Sequence, residues 1–238
     1  MSPPRASSDD RLRRGLRQEL ESLQRAGVRQ LAAAAPAGNE QQAAAGVSLE
    51  ETQRLLDLVR QEVAACTKCE ELVANRTQTV FGSGNLAARL CFLGEAPGAD
   101  EDRQGEPFVG RAGRLLTDII EKGMGLTRSD VYILNVLKCR PPENRTPLPA
   151  EADNCRGFLD RQLALIQPQF ICCLGAVAAQ NLLRVSTPIG KLRGAFYDYR
   201  GIRVMCTYHP AYLLRNPAAK KQTWTDIRLL MREMGLPG

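Results

Sequence analysis

Arg89-Leu90-Cys91-Phe92-Leu93-Gly94-Glu95-Ala96-Pro97-Gly98 joins an unbroken apolar run to a loop of glycine and proline. A short apolar run without polar alternation suits a strand buried on both faces, and such strands belong to parallel sheets. Asp130-Val131-Tyr132-Ile133-Leu134-Asn135-Val136 and Phe170-Ile171-Cys172-Cys173-Leu174 have the same character. Between these runs, Gly113 to Gly123 and Pro149 to Ile166 carry helical spacing, the second with proline and acids in its first turn. Phe196-Tyr197-Asp198-Tyr199 and Ile202-Arg203-Val204-Met205-Cys206 flank Arg200-Gly201 and predict a hairpin, and a last helix is expected over Gln222 to Met234. The alternation predicts the α/β class: a three-layer α/β/α sandwich with a central, mainly parallel sheet. Ligands in such folds collect outside the carboxyl ends of the strands. Gly94 to Gly98, Asn135 and His209 all fall at strand exits.

Working towards the amino terminus, Ser48 and Glu51 form a capping-box pattern ahead of Leu55, Leu56, Leu58, Val59 and Val63. A helix from Leu49 to Ala65 is expected, with Cys66 delivered at its end. Before it, Leu12, Leu16, Leu20 and Leu23 give a charged helical pattern over Asp9 to Leu31, followed by the low-complexity stretch Ala32-Ala33-Ala34-Ala35-Pro36-Ala37-Gly38-Asn39. The chain therefore divides into a flexible amino-terminal extension, residues 1–47, with one helical pattern, and a compact domain, residues 48–238.

Composition narrows the class. Hydrophobic residues at 44% and charged residues at 24% of 238 describe a chain able to bury a core. No apolar run approaches the roughly 18 residues that span a bilayer, so no membrane association is expected. Met1-Ser2-Pro3-Pro4-Arg5 leads into charges and not into an apolar secretory segment. A cytoplasmic location follows, where clustered cysteines more often bind metal than form disulfides. The net charge of +6 favours a polyanionic partner.

Cys66-x2-Cys69 has the bite of a chelating turn, and Cys139 and Cys155 supply two further thiols. Zinc and an iron-sulfur cluster both suit four thiolates, and the spacing alone leaves the choice open. Cys91, Cys172, Cys173 and Cys206 lie inside apolar runs and read as small core residues. His209, the only histidine, stands in Tyr208-His209-Pro210-Ala211-Tyr212 directly after a strand. A non-catalytic nucleic-acid module around zinc and an electron-transfer protein share the charge and the thiols, but neither needs the polar residues at the strand exits.

Those residues carry a resemblance. Gly94-Glu95-Ala96-Pro97-Gly98 with Glu101-Asp102, then Pro107-Phe108-Val109-Gly110, Asn135-Val136-Leu137-Lys138-Cys139-Arg140-Pro141-Pro142, and His209-Pro210-Ala211-Tyr212-Leu213-Leu214-Arg215 resemble the family 4 uracil-DNA glycosylases over about Leu58 to Met234. The resemblance implies a monofunctional DNA-repair enzyme that hydrolyses the bond between uracil and deoxyribose in single- or double-stranded DNA and leaves an abasic site. It also implies a 4Fe-4S cluster on Cys66, Cys69, Cys139 and Cys155. Phe108 would stack on the base beside Ala96, and the Asn135 amide would read the uracil edge. His209 would donate to the departing base, and Glu95 and Glu101, with Asp102 behind them, would serve the sugar and the attacking water. Arg111, Arg140, Leu213 and Arg215 are the expected DNA contacts, an apolar residue after His209 filling the space left by the flipped base. Lys138 and Arg145 add positive charge near the cluster. Relatives that attach covalently to DNA carry an extra histidine after the third cysteine, whereas Pro141-Pro142-Glu143-Asn144-Arg145-Thr146-Pro147 has none, so a turnover enzyme is expected. A monomer is the default.

Overall fold

The computed structural model describes residues 48–237. The expected amino-terminal helix and tether lie outside the described residues. One six-stranded sheet contains β1 (Ser83–Gly84), β2 (Leu90–Gly94), β3 (Tyr132–Asn135), β4 (Phe170–Leu174), β5 (Phe196–Tyr199) and β6 (Ile202–Thr207), in the order β1-β3-β2-β4-β6-β5. The four inner strands are parallel, with Gly94 paired to Asn135 and Cys173 to Cys206, while β1 and β5 are antiparallel edges. The helices are α1 (Leu49–Ala64), α2 (Glu70–Asn75), α3 (Ala99–Gln104), α4 (Arg111–Asp118), α5 (Pro149–Ile166), α6 (Ala176–Leu183), α7 (Ile189–Leu192), α8 (Pro210–Arg215) and α9 (Lys220–Met234).

Period-two alternation divides each inner strand between two cores. Cys91, Leu93, Leu134, Ile171, Cys173 and Cys206 face α1, α5 and α6, through Leu56, Val63, Leu159, Leu163 and Ala179 among others. Phe92, Ile133, Cys172, Leu174 and Met205 face the other way, onto Leu116 of α4 and Ile227, Leu230 and Met231 of α9. These faces make the expected three-layer sandwich. Both sides of β2, β3 and β4 are covered, which is why these strands read as continuous apolar runs.

Several boundaries differ from expectation. The run from Gly113 splits into α4 and a wider π turn over Ile119–Gly123, which sets Gly123 against the Trp224 ring, where a Cβ would lie 2.8 Å from it. In the hairpin, Arg200 and Gly201 adopt φ of 54° and 83°, the paired left-handed residues of a tight two-residue turn. Helices α2, α3 and α8 have six residues each, too short to show a 3.6-residue period in the sequence.

Candidate active site

The carboxyl ends of the parallel strands open into a cavity of about 480 Å³ that Glu95, Ala96, Phe108, Asn135, His209 and Arg215 line, with Glu101 at one side. Gly94, the last residue of β2, packs against two of these lining side chains. A Cβ there would stand 2.3 Å from Asn135 Oδ1 and 2.6 Å from two ring carbons of Phe108, so only glycine lets the amide and the ring approach each other. The parallel pairing continues past the strands, with Val136 N–H donating to Gly94 O and Leu137 N–H to Glu95 O, both at 3.0 Å. The Glu95 backbone is thereby tied to the Asn135 strand.

Asn135 closes β3 and is 2% exposed, yet its Oδ1 has no hydrogen-bond partner. An unpaired buried amide oxygen costs about 1–3 kcal/mol, so this atom is poised for a donor from the cavity. Its backbone carbonyl accepts from Lys138 Nζ at 2.8 Å.

Phe108 is held in an unusual backbone state. Its φ of 55° lies in the left-handed region, where a bulky side chain is a genuine outlier. Such a conformation costs on the order of 1–3 kcal/mol and persists only when its surroundings impose it. Its ring centroid lies 5.6 Å from that of His209 at an interplanar angle of 33°.

His209 follows β6 and N-caps α8, with Pro210 at the first helical position. Its Nδ1 accepts from Ala211 N–H at 3.1 Å. The neutral ring therefore carries its proton on Nε2, a donor. Burial, reinforced by the charge of Arg215, lowers the imidazole pKa to about 4, so the ring is neutral at physiological pH. Burial also raises the pKa of Glu95.

Glu101 reaches the cavity edge, but its carboxylate accepts from the backbone: Gly98 N–H at 3.1 Å, Val109 N–H at 3.0 Å and Gly110 N–H at 2.9 Å. It ties the β2 loop to the Phe108 loop. Asp102 does not line the cavity; it is buried and accepts from Thr77 N–H at 3.0 Å. Arg215 stands exposed at the mouth. Arg111 and Arg140 adjoin the cavity without lining it, Arg111 exposed on α4 next to the lining residue Ala112 and Arg140 donating to Oδ1 of the lining residue Asn144 at 2.8 Å.

One expected DNA contact needs correction, and two of the basic residues near the thiols are already engaged. Leu213 is 1% exposed and belongs to the interior, whereas its neighbour Leu214 is 43% exposed, so any apolar wedge after His209 is Leu214 and not Leu213. Lys138 is 1% exposed and cannot meet phosphate. Arg145 lines the cavity but is paired with Glu151 and Glu71, both at 2.7 Å. The sequence gives no sign of Arg128, and names Gly94 and Tyr212 only as members of their motifs. Tyr212 is exposed at the mouth and packs on Tyr208 with ring centroids 5.1 Å apart.

The four thiols are free and come from three regions: Cys66 and Cys69 between α1 and α2, Cys139 after β3, and Cys155 in α5. Arg76 links two of these regions, donating to Cys139 Sγ at 2.9 Å and to Cys66 O at 3.0 Å. Asn154 Nδ2 lies 3.4 Å from Cys69 Sγ. Burial raises the pKa of Cys139 and brings that of Cys155 to about 11, and neighbouring thiols push both the same way. Among the described residues, no three His, Cys, Asp or Glu side chains converge as ligands of a single metal ion. An all-thiol donor set within mutual electrostatic reach, beside Arg76 and Lys138, nevertheless fits a centre in which each thiolate takes its own iron. Cys91, Cys172, Cys173 and Cys206 are buried core residues, as expected.

Residues 81–228 match the family model described as the Uracil DNA glycosylase superfamily, a class this sandwich and cavity fit. A type-4 uracil-DNA glycosylase of Archaeoglobus fulgidus is 45% identical over 184 residues, covering 74% of this chain and 91% of that protein. One of Thermotoga maritima is 48% identical over 168 residues, covering 69% and 85%. A type-5 uracil-DNA glycosylase of Pyrobaculum aerophilum is 29% identical over 179 residues, covering 62% and 79%. The chain belongs to the type-4 family of the uracil-DNA glycosylase superfamily.

Proposed function

We propose that this enzyme removes uracil from DNA by hydrolysing the C1′–N1 bond, releasing free uracil and leaving an abasic site. The observation that carries the reading is the unpaired Asn135 Oδ1, buried in the same cavity as the Phe108 ring and the Nε2–H of His209. A base inside a duplex must be rotated out of the stack before it can enter such a cavity. Phe108 then stacks on its face. Asn135 accepts from uracil N3–H and donates to O4; cytosine inverts both groups and leaves the amide mismatched.

As the glycosidic electrons move onto the base, His209 donates from Nε2 to uracil O2. A neutral imidazole suits this role, because it stabilises the anion without first giving up a charge. The sugar carbon gains positive character, and Glu95 at the β2 exit orients the water whose oxygen bonds to C1′. The water proton ends on the departing pyrimidine or in solvent. Glu101 acts here through the loops it holds, and Ala96 borders the base. Arg215 meets phosphate at the mouth, Leu214 enters the space left by the base, and Arg111 and Arg140 add positive charge beside residues that line the cavity.

Cys66, Cys69, Cys139 and Cys155 would hold a 4Fe-4S cluster that staples the α1 end, the β3 exit and α5 together. Hydrolysis changes no oxidation state, so base removal requires no redox step. No helix among the described residues is long and apolar enough to cross a membrane. A monomer in the cytoplasm acting on single- or double-stranded DNA completes the reading.

The test is excision from uracil-containing single and double strands. Wild type should give abasic product without strand cleavage, and His209→Ala should lose about 10²–10³-fold, the effect of removing one oxyanion donor. Asn135→Ala should fall similarly, with the visible iron-sulfur absorption retained in both variants. Intact uracil DNA after incubation with folded, cluster-loaded wild type would reject the reading; a colourless zinc protein would reject only the cluster.

A further inference from the structure

We propose that Arg128 is a positioning residue that fixes the aromatic wall of the base cavity by holding Phe108 in its left-handed conformation; this inference rests on the base-excision reading above. Arg128 sits in the 3₁₀ turn Arg128–Asp130 ahead of β3 and shares no element with the cavity. Its guanidinium donates to Pro107 O at 2.9 Å and to Phe108 O at 3.2 Å. Those carbonyls belong to the two peptide planes on either side of the Phe108 Cα, so one rigid fork sets φ and ψ together. A third bond, to Thr117 Oγ1 at 3.2 Å, anchors the fork to α4, and the Thr117 hydroxyl donates onward to Gly113 O at 3.1 Å.

Two further contacts close the clamp. Glu101 accepts from Val109 and Gly110 N–H, so the chain just after Phe108 is held from the opposite side. At Gly113 a Cβ would stand 1.9 Å from Phe108 O, so this carbonyl is seated directly on the helix backbone. Among the described residues, Arg128 forms no carboxylate ion pair; its contacts are two carbonyls and a hydroxyl. Burial lowers its pKa, with only the more distant charges of Glu106 and Glu121 acting against that. A half-buried guanidinium without a carboxylate partner is a poor general stabiliser. It is well placed for imposing one backbone geometry, because its planar donors address both carbonyls at once, as a lysine ammonium does not.

The test uses cluster-loaded Arg128→Lys and Arg128→Met, each made in wild type and in Phe108→Ala. In the wild-type background, single-turnover excision should fall at least about tenfold, since an ångström-scale shift of a positioning contact can cost about a hundredfold. Inhibition by free uracil should weaken in parallel, while affinity for the same DNA without uracil and the iron-sulfur spectrum stay unchanged. In the Phe108→Ala background the Arg128 substitutions should have no further effect, because their target is gone. A loss of equal size in both backgrounds would show an effect not exerted through Phe108, and wild-type rates in Arg128→Lys would show that the fork is dispensable; either overturns the inference. Should Arg128→Met fail to fold, Arg128→Lys carries the comparison. Absence of excision by wild type would defeat the base-excision reading and this inference together, whereas active wild type with an unaffected Arg128→Lys would defeat only the latter.

Discussion

Gly94→Ala adds one methyl group at the point where Asn135 and Phe108 meet, and its effect follows from the distances there. The new Cβ would fall about 1 Å inside ordinary contact with both the Asn135 amide oxygen and the Phe108 ring. Asn135 terminates a strand hydrogen-bonded to β2, and the Phe108 backbone is gripped by Arg128 and Glu101, so neither neighbour yields without dragging its support. Overpacking of this kind costs roughly 1–3 kcal/mol of stability. The same displacement moves the edge reader and the stacking wall by an ångström-scale amount, enough to reduce kcat/KM about a hundredfold, or about 2.7 kcal/mol. Single-turnover excision from a uracil-containing oligonucleotide and a thermal melt measure the two effects on one preparation. Near-wild-type excision, even at reduced stability, would refute the account of a cavity whose amide and ring are set against each other across Gly94.

The corrected geometry of α8 separates two neighbouring leucines: Leu213→Ala should cost about 2–5 kcal/mol of stability, whereas Leu214→Ala should stay within about 0.5 kcal/mol and lose affinity for uracil DNA instead; equal melts for the two variants would contradict the burial difference. As the only histidine, His209 gives one imidazole signal by NMR, which should titrate near pH 4 and not near 6.5. Because its folded-state pKa lies below its unfolded value, the unfolded chain takes up the proton first; this contribution to stability is complete above about pH 6.5 and is lost towards pH 4, by up to about 3 kcal/mol. With the proposed 4Fe-4S cluster on the four thiols, Arg76→Leu should speed bleaching of its visible absorption by a chelator several-fold, since it removes the guanidinium that bridges the Cys139 sulfur and the Cys66 carbonyl; an unchanged rate would place Arg76 outside the support of the thiol site.

The sheet was legible because its inner strands are buried on both faces, which leaves continuous apolar runs in Arg89–Leu93 and Phe170–Leu174. The polar cavity residues were legible because Glu95, Asn135 and His209 each follow such a run. The phase of α8 was not: with six residues, nothing in Tyr212-Leu213-Leu214-Arg215 tells which leucine turns inward until Pro210 and the β6 exit fix the helix against the core.

A different bonding pattern explains why the support of the site was not legible in the sequence. The family resemblance names Glu101 beside the attacking water, but nothing in the sequence gives its grip on the loops and nothing singles out Arg128, because the partners of both are peptide groups, which every residue carries and which therefore leave no mark at the partner's position. Asn135 and His209 differ, since part of their bonding capacity is left open towards the cavity. Asn135 and His209 could thus be read from their place in the chain, whereas the holding roles of Glu101 and Arg128 became visible only through the backbone they grip. The left-handed Phe108 stands where the two kinds meet: its ring faces the cavity, and the groups that hold its strained backbone, Arg128 and Glu101, do so through peptide groups that sequence patterns do not mark.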